Sequence, residues 1–177
     1  MLGRKIFFIT IGFIMILITI FLLGETDYFN KHDYFINKKN GLISIITGSF
    51  LHGNMKHLIG NIKVLLLTMP LLHYFYKKDF WQLTIIGIFI PATTIYYLEL
   101  SVLGISGLTY CYVWFLIFSG IGSKDVYRFI CSIFFIVFYG SSLIGVTPLV
   151  GVGISWQTHL IGMYVAFFYS IYRYLRK

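Results

Sequence analysis

Apolar stretches near the roughly 18–20 residues that cross a bilayer core recur from one end of this chain to the other. They are Ile6–Leu23, His57–Tyr76, Phe80–Leu98, Ser106–Gly120, Phe129–Val146 and Ile154–Tyr174. In lipid every backbone N–H and C=O must find its partner inside the protein, so each run is expected to be a helix. The expected fold class is an all-α membrane protein, a bundle of six transmembrane helices. The runs leave no room for a separate soluble unit, so residues 1–177 read as one domain. Composition agrees, because 58% hydrophobic and 11% charged residues cannot cover a soluble surface.

The N-terminal run is longer than the roughly 7–15 apolar residues of a secretory signal, and no small-x-small cleavage site follows it. It therefore reads as a retained first span. Cys111 and Cys131 fall in different spans and read as small apolar residues rather than a disulfide pair.

A net charge of +8 raises the question of nucleic acid, but its distribution answers otherwise. With the N-terminus in the cytosol, Arg4, Lys5, Lys77, Lys78, Lys124, Arg128, Arg173, Arg176 and Lys177 share that side, nine of the fourteen basic residues. In the first external loop Lys31, Lys38 and Lys39 are balanced by Glu25, Asp27 and Asp33. This is the positive-inside pattern of a membrane protein with both termini cytosolic. Trp81, Tyr74 and Tyr76 are then expected at the cytosolic interface and Trp156 at the outer one. No nucleic-acid partner is expected. The expected setting is the cell membrane of a prokaryote, with the lipid bilayer as a partner.

Residues 24–56 form the one long connection. Within it Gly41–Phe50 (GLISIITGSF) puts Ser44, Thr47 and Gly48 on one side of a short helix, expected to lie in the interface or dip into the membrane.

Polar side chains inside spans are costly, and each is a candidate functional group. His57 and Asn61 open the second span, Ser106 opens the fourth, and His159 lies about five residues into the sixth. All three spans run inward. At about 1.5 Å per residue these four groups share the outer third of the bilayer. Serine becomes a nucleophile when a base takes its proton, and His is the usual base. Asn and His side chains can donate to the oxyanion formed on attack. A serine in the first helical turn adds free N–H groups and the positive end of the helix dipole. Alone, Ser106 would read as a helix N-cap, and His159 as an interhelical hydrogen-bonding residue. Gly104 and Gly107 beside the serine, with His-bearing spans at the same depth, favour chemistry. A metal site is disfavoured: His52 and His57 do not share a helical face, there is no H-E-x-x-H, and carboxylates are scarce. No cofactor is expected.

Three segments resemble the rhomboid family of intramembrane serine proteases. They are His52-x4-His57-x3-Asn61, then Gly104-Ile105-Ser106-Gly107 with Tyr110 one turn on, then His159-x-x-Gly162-x3-Ala166. The resemblance implies a Ser106–His159 dyad, with Tyr110 stacked on the His159 ring. It implies His57, Asn61 and the Ser106 N–H as the oxyanion hole, and His52 as the residue holding the first loop to the second span. Transmembrane protein substrates are implied as partners. The alternative is a non-catalytic rhomboid-like protein that binds or escorts membrane proteins.

Packing requirements are legible as well. Gly162, Ala166 and Ser170 form a small-residue stripe facing the helix of Gly107 and Cys111, which lets two helices approach closely in lipid. Four features depart from the family. The first-loop Trp-Arg pair is replaced by Ile43-Ser44, Thr158 and Ala166 stand where smaller residues are usual, and Lys63 must snorkel or face water. Glu99 reads as an interfacial charge, as do His32 and His73 as interfacial rings. The loop Thr147–Ser155, with its glycines and Pro148, is the expected movable cap.

Overall fold

The computed structural model describes residues 2–26, 30–151 and 154–176. Among them seven α-helices follow one another: α1 (Leu2–Gly24), α2 (Ser44–Phe50), α3 (Met55–Phe75), α4 (Phe80–Tyr97), α5 (Ser106–Ile121), α6 (Val126–Tyr139) and α7 (Trp156–Leu175). Short 3-10 turns cover Lys31–Tyr34, Gly140–Val146 and Pro148–Val150. The chain belongs to the all-α class. Its one β feature among the described residues is an isolated bridge between Ile36 and Val102.

Among the described residues four segments are long and apolar enough to cross a membrane: Arg4–Gly24, Met55–Phe75, Phe80–Tyr97 and Val126–Val146. The last joins α6 to the 3-10 turn after it. Phe129–Val146 had read as one uniform helix, but regular winding stops at Tyr139, where Gly140, Ser141 and Ser142 are poor helix formers. α5 is apolar as well but shorter.

Helix starts follow their capping residues. Asn54 accepts from the His57 N–H at 2.9 Å to open α3, and Asp125 accepts from the N–H groups of Tyr127 and Arg128 to open α6. Ser155 does the same for α7 through the Thr158 N–H.

α5 is the axis of the bundle. It packs against α3, α4, α6 and α7, while α1 leans on α3 and α2 on α4. Thirteen of its residues are buried. The outer faces of α1 and α6 are the reverse, with Phe7, Phe8, Ile130, Val137 and Phe138 exposed, as suits helices whose solvent is lipid. In α2 Ser44, Ile45, Gly48 and Ser49 turn inward and Ile46 faces out, as do Leu42 and Ile43 just before the helix.

Two expected interfacial rings are instead buried. Tyr76 is sandwiched between the guanidiniums of Arg128 and Arg173, 4.9 and 4.7 Å from its ring, because Asp79 draws Arg173 inward at 2.9 Å. His73 is buried edge-on against Phe80. Tyr74, Trp81 and His32 are exposed, Trp156 is half-buried, and Lys63 points outward from α3. Asp27, Lys177 and part of the expected cap (Val152 and Gly153) lie outside the described residues.

Candidate active site

Ser106 is the first residue of α5, and its hydroxyl does not cap the helix. The cap position is Ile105, and no side chain bonds there. Helix capping therefore leaves the Ser106 hydroxyl uncommitted. The turn into it depends on Gly104, whose φ of +115° suits glycine and whose N–H donates to Gly48 O at 2.9 Å. A Cβ on Gly104 would sit 2.7 Å from Cε1 of His57. The missing side chain is what lets the His57 ring lie against the serine turn.

α7 brings His159 to the same place along a seam of small residues. A Cβ on Gly162 would overlap the Gly107 carbonyl. One on Gly107 would press on Pro91 of α4 at 2.8 Å and on Thr158 Cγ2 of α7 at 3.2 Å. Ala166 is fully buried, and one turn further Ser119 and Ser170 share a hydrogen bond of 3.0 Å. Thr158 fits despite its size because its hydroxyl turns back to Ser155 Oγ at 2.8 Å.

The His159 ring stacks on Tyr110 at 3.9 Å between centroids and 6° between planes. Its Nδ1 lies 2.9 Å from the carbonyl oxygen of Gly145. A carbonyl can only accept, so Nδ1 carries the proton and Nε2 keeps its lone pair. Tyr110 lies one helical turn beyond Ser106. Ser106 and His159 are both buried, but no hydrogen bond joins them among the described residues.

Asn61, buried on α3, is tied into a second network. Its amide nitrogen is 2.9 Å from His52 Nε2, and His52 Nδ1 is 3.2 Å from Phe50 O. The Phe50 carbonyl accepts from the Nδ1–H of His52, so His52 Nε2 accepts from Asn61 and fixes which way the amide points. Asn61 keeps a second amide N–H. Its oxygen faces Thr109 Oγ1 at 3.5 Å, and that hydroxyl donates to the Ser106 carbonyl at 2.8 Å. His52 is fully enclosed, and burial together with the neighbouring His57 ring 5.1 Å away pushes it down to about 4.

The first loop is anchored without Trp-Arg. Ile36 N–H donates to Val102 O at 2.9 Å, Asn37 Nδ2 to Ser101 Oγ at 3.2 Å, and Lys38 pairs with Glu99 at 2.5 Å. Three successive loop residues thus strap the segment that leads into Ser106. Glu99 has a φ of +59°. The exposed Lys38 ammonium holds the Glu99 carboxyl below its ordinary range.

The structure therefore gathers Ser106, Tyr110, His159, His57, Asn61, His52, Gly104, Gly107 and Gly162 at one end of the α3–α5–α7 contact. Sequence reasoning missed Thr109 and Gly145. The one signal for Gly145 was an isolated glycine in an apolar run, a mark of close backbone approach. Beside Thr109 and Tyr110 lies a cavity of about 130 Å³, bounded by Val64, Val113, Tyr139 and Ser142. Among the described residues no three His, Cys, Asp or Glu side chains cluster as metal ligands.

Chemically, the arrangement holds a serine hydroxyl and an imidazole whose Nε2 keeps its lone pair, with an aromatic ring against the imidazole and a carbonyl on its Nδ1. No individual curated protein matches the chain. A family model does: that of the rhomboid domain, over residues 39–176.

Proposed function

The chain belongs to the rhomboid family, and from that premise we propose that it is an intramembrane serine endopeptidase. It cuts transmembrane segments of other membrane proteins with a Ser106–His159 dyad. One observation carries the reading: His159 is stacked on Tyr110, one helical turn from Ser106 along α5, with Nδ1 committed to a carbonyl, which leaves Nε2 free to act as a base.

Ser106 Oγ attacks the scissile carbonyl as His159 Nε2 takes its proton. The oxyanion is met by the Ser106 N–H at the start of α5, the free amide N–H of Asn61 and the His57 ring. The tetrahedral intermediate collapses as His159 returns the proton to the leaving amine, and water then cleaves the acyl-enzyme. Substrate segments unwind locally at the cut, because a regular helix hides its carbonyls in hydrogen bonds. The membrane arrangement that suits this chemistry has α1 and α3–α7 as six spans. Both termini lie on the basic, cytosolic side, and the site opens outward, with Thr147–Ser155 as the cap over it.

The missing Ser106–His159 hydrogen bond is the observation that favours the other reading, a rhomboid-like protein that escorts membrane proteins without cutting them. Against it, such bonds are often long before substrate binds, and an escort needs neither group. The test is cleavage of a transmembrane substrate in proteoliposomes by wild type and by Ser106→Ala. Cleavage by wild type alone is expected, and equal cleavage by both overturns the proposal.

A further inference from the structure

We infer that Gly145 is a positioning residue of the dyad: its backbone carbonyl holds His159 in the tautomer that can act as base. The inference rests on the protease reading and adds to it the group that does the work of a third triad member.

The contact itself is a 2.9 Å hydrogen bond from Nδ1 to Gly145 O. In the two-residue dyad this is what decides which nitrogen faces the serine. A ring protonated at Nε2 instead would offer Ser106 a donor and no base. Among serine proteases with a third residue, losing the tautomer while keeping the geometry costs on the order of 10⁴-fold in rate. Stacking on Tyr110 fixes the plane of the ring. It does not choose between the nitrogens, because stacking is blind to which one carries hydrogen.

The identity of residue 145 follows from the same place. A Cβ there would overlap the Tyr110 hydroxyl, lie 3.0 Å from its Cζ and lie 3.5 Å from His159 Nδ1. One residue therefore touches both rings, and only glycine lets its carbonyl come close. Tyr110 Oη occupies the space a methyl group would need. Gly145 is buried, whereas Ser141, Leu143 and Ile144 around it are exposed. The turn is closed by Thr147, whose N–H and hydroxyl both bond Ile144 O, at 3.1 and 2.8 Å. The carbonyl is thus presented by a fixed 3-10 turn rather than by a free loop.

The experiment compares wild type, Gly145→Ala, Tyr110→Phe and the double variant, each as the full chain in detergent micelles. Kinetics use a transmembrane substrate, and ¹⁵N NMR of histidine-labelled protein reads the tautomer, with His159→Gln assigning the signal. In wild type, His159 is expected to be protonated at Nδ1. Gly145→Ala is expected to lower kcat by about 10²-fold, within the range of a lost general base, with KM nearly unchanged and the Nδ1–H signal lost. Removing the Tyr110 hydroxyl removes the overlap and leaves only the ring carbon at 3.0 Å, which a small shift relieves, so the double variant should recover the signal and most of the activity of Tyr110→Phe alone. An Nε2–H tautomer in wild type overturns the inference, even if Gly145→Ala fails to fold. So does a Gly145→Ala enzyme with wild-type kcat, or a double variant in which the two losses simply multiply. A wild type that holds the Nδ1–H tautomer but never cleaves refutes the protease reading and leaves the carbonyl contact standing.

Discussion

Acidification should loosen the anchored first loop through one residue, His52, and the size of the effect can be worked out. Both ring nitrogens are committed to the neutral form. Nδ1 donates to Phe50 O at 3.2 Å and Nε2 accepts from Asn61 at 2.9 Å. A second proton would set an N–H of His52 against an N–H of Asn61, inside a site closed to water. Burial of the ring, with the neighbouring His57, depresses the folded value from 6.5 to about 4. Between these values the unfolded chain binds a proton that the folded chain refuses. Stability from this group is complete above pH 6.5 and drains away as pH falls toward about 4. The full loss is about 3 kcal/mol. The assay is thermal unfolding in micelles at several pH values between 7.5 and 4, for wild type and for His52→Gln. Glutamine keeps a neutral acceptor for Asn61 but cannot take a proton in this range. Wild type should lose most of that increment on acidification, and His52→Gln should lose much less. Equal pH slopes in the two proteins would refute the argument, whatever their absolute stabilities.

Two further outcomes follow from the site. Gly162→Val should separate α5 from α7, because its side chain lands on the Gly107 carbonyl. Destabilisation of about 1–3 kcal/mol or more and a matching fall in activity at permissive temperature are expected by thermal unfolding and substrate cleavage. Asn61→Ala should lower kcat by about 10²–10³-fold with KM little changed, as for loss of one oxyanion donor. A larger effect on KM than on kcat would assign Asn61 to substrate binding instead.

What the sequence made legible, and what it hid, divides along a physical line. Ser106, His57, Asn61 and His159 are polar groups in apolar runs, and lipid makes such residues conspicuous because each is expensive there. The glycines at 104, 107 and 162 were visible as small residues, and the structure gives each a named neighbour: His57, Pro91 and Gly107. Gly145 contributes through a carbonyl, which every residue carries, and the absence of its side chain matters only because Tyr110 fills that space, a contact set by tertiary packing. Thr109 bonds within its own helix and across to α3, a partnership set by rotation about the α5 axis. The bridge from Ile36 to Val102 joins segments far apart in the chain, and its alternating residues are too few to announce a strand. Tyr76 read as interfacial by type, but two arginines drawn by nearby carboxylates close over it. Local chemistry was readable from order and spacing; tertiary closure was not.

The central claim is that Ser106 is a nucleophile activated by His159. Its most direct test is reaction of the purified, folded protein with a fluorophosphonate probe, followed by mass-spectrometric mapping of the adduct. An adduct on Ser106 that disappears in His159→Ala is the expected result. No adduct, an adduct on another serine, or Ser106 labelling at an unchanged rate in His159→Ala would contradict it.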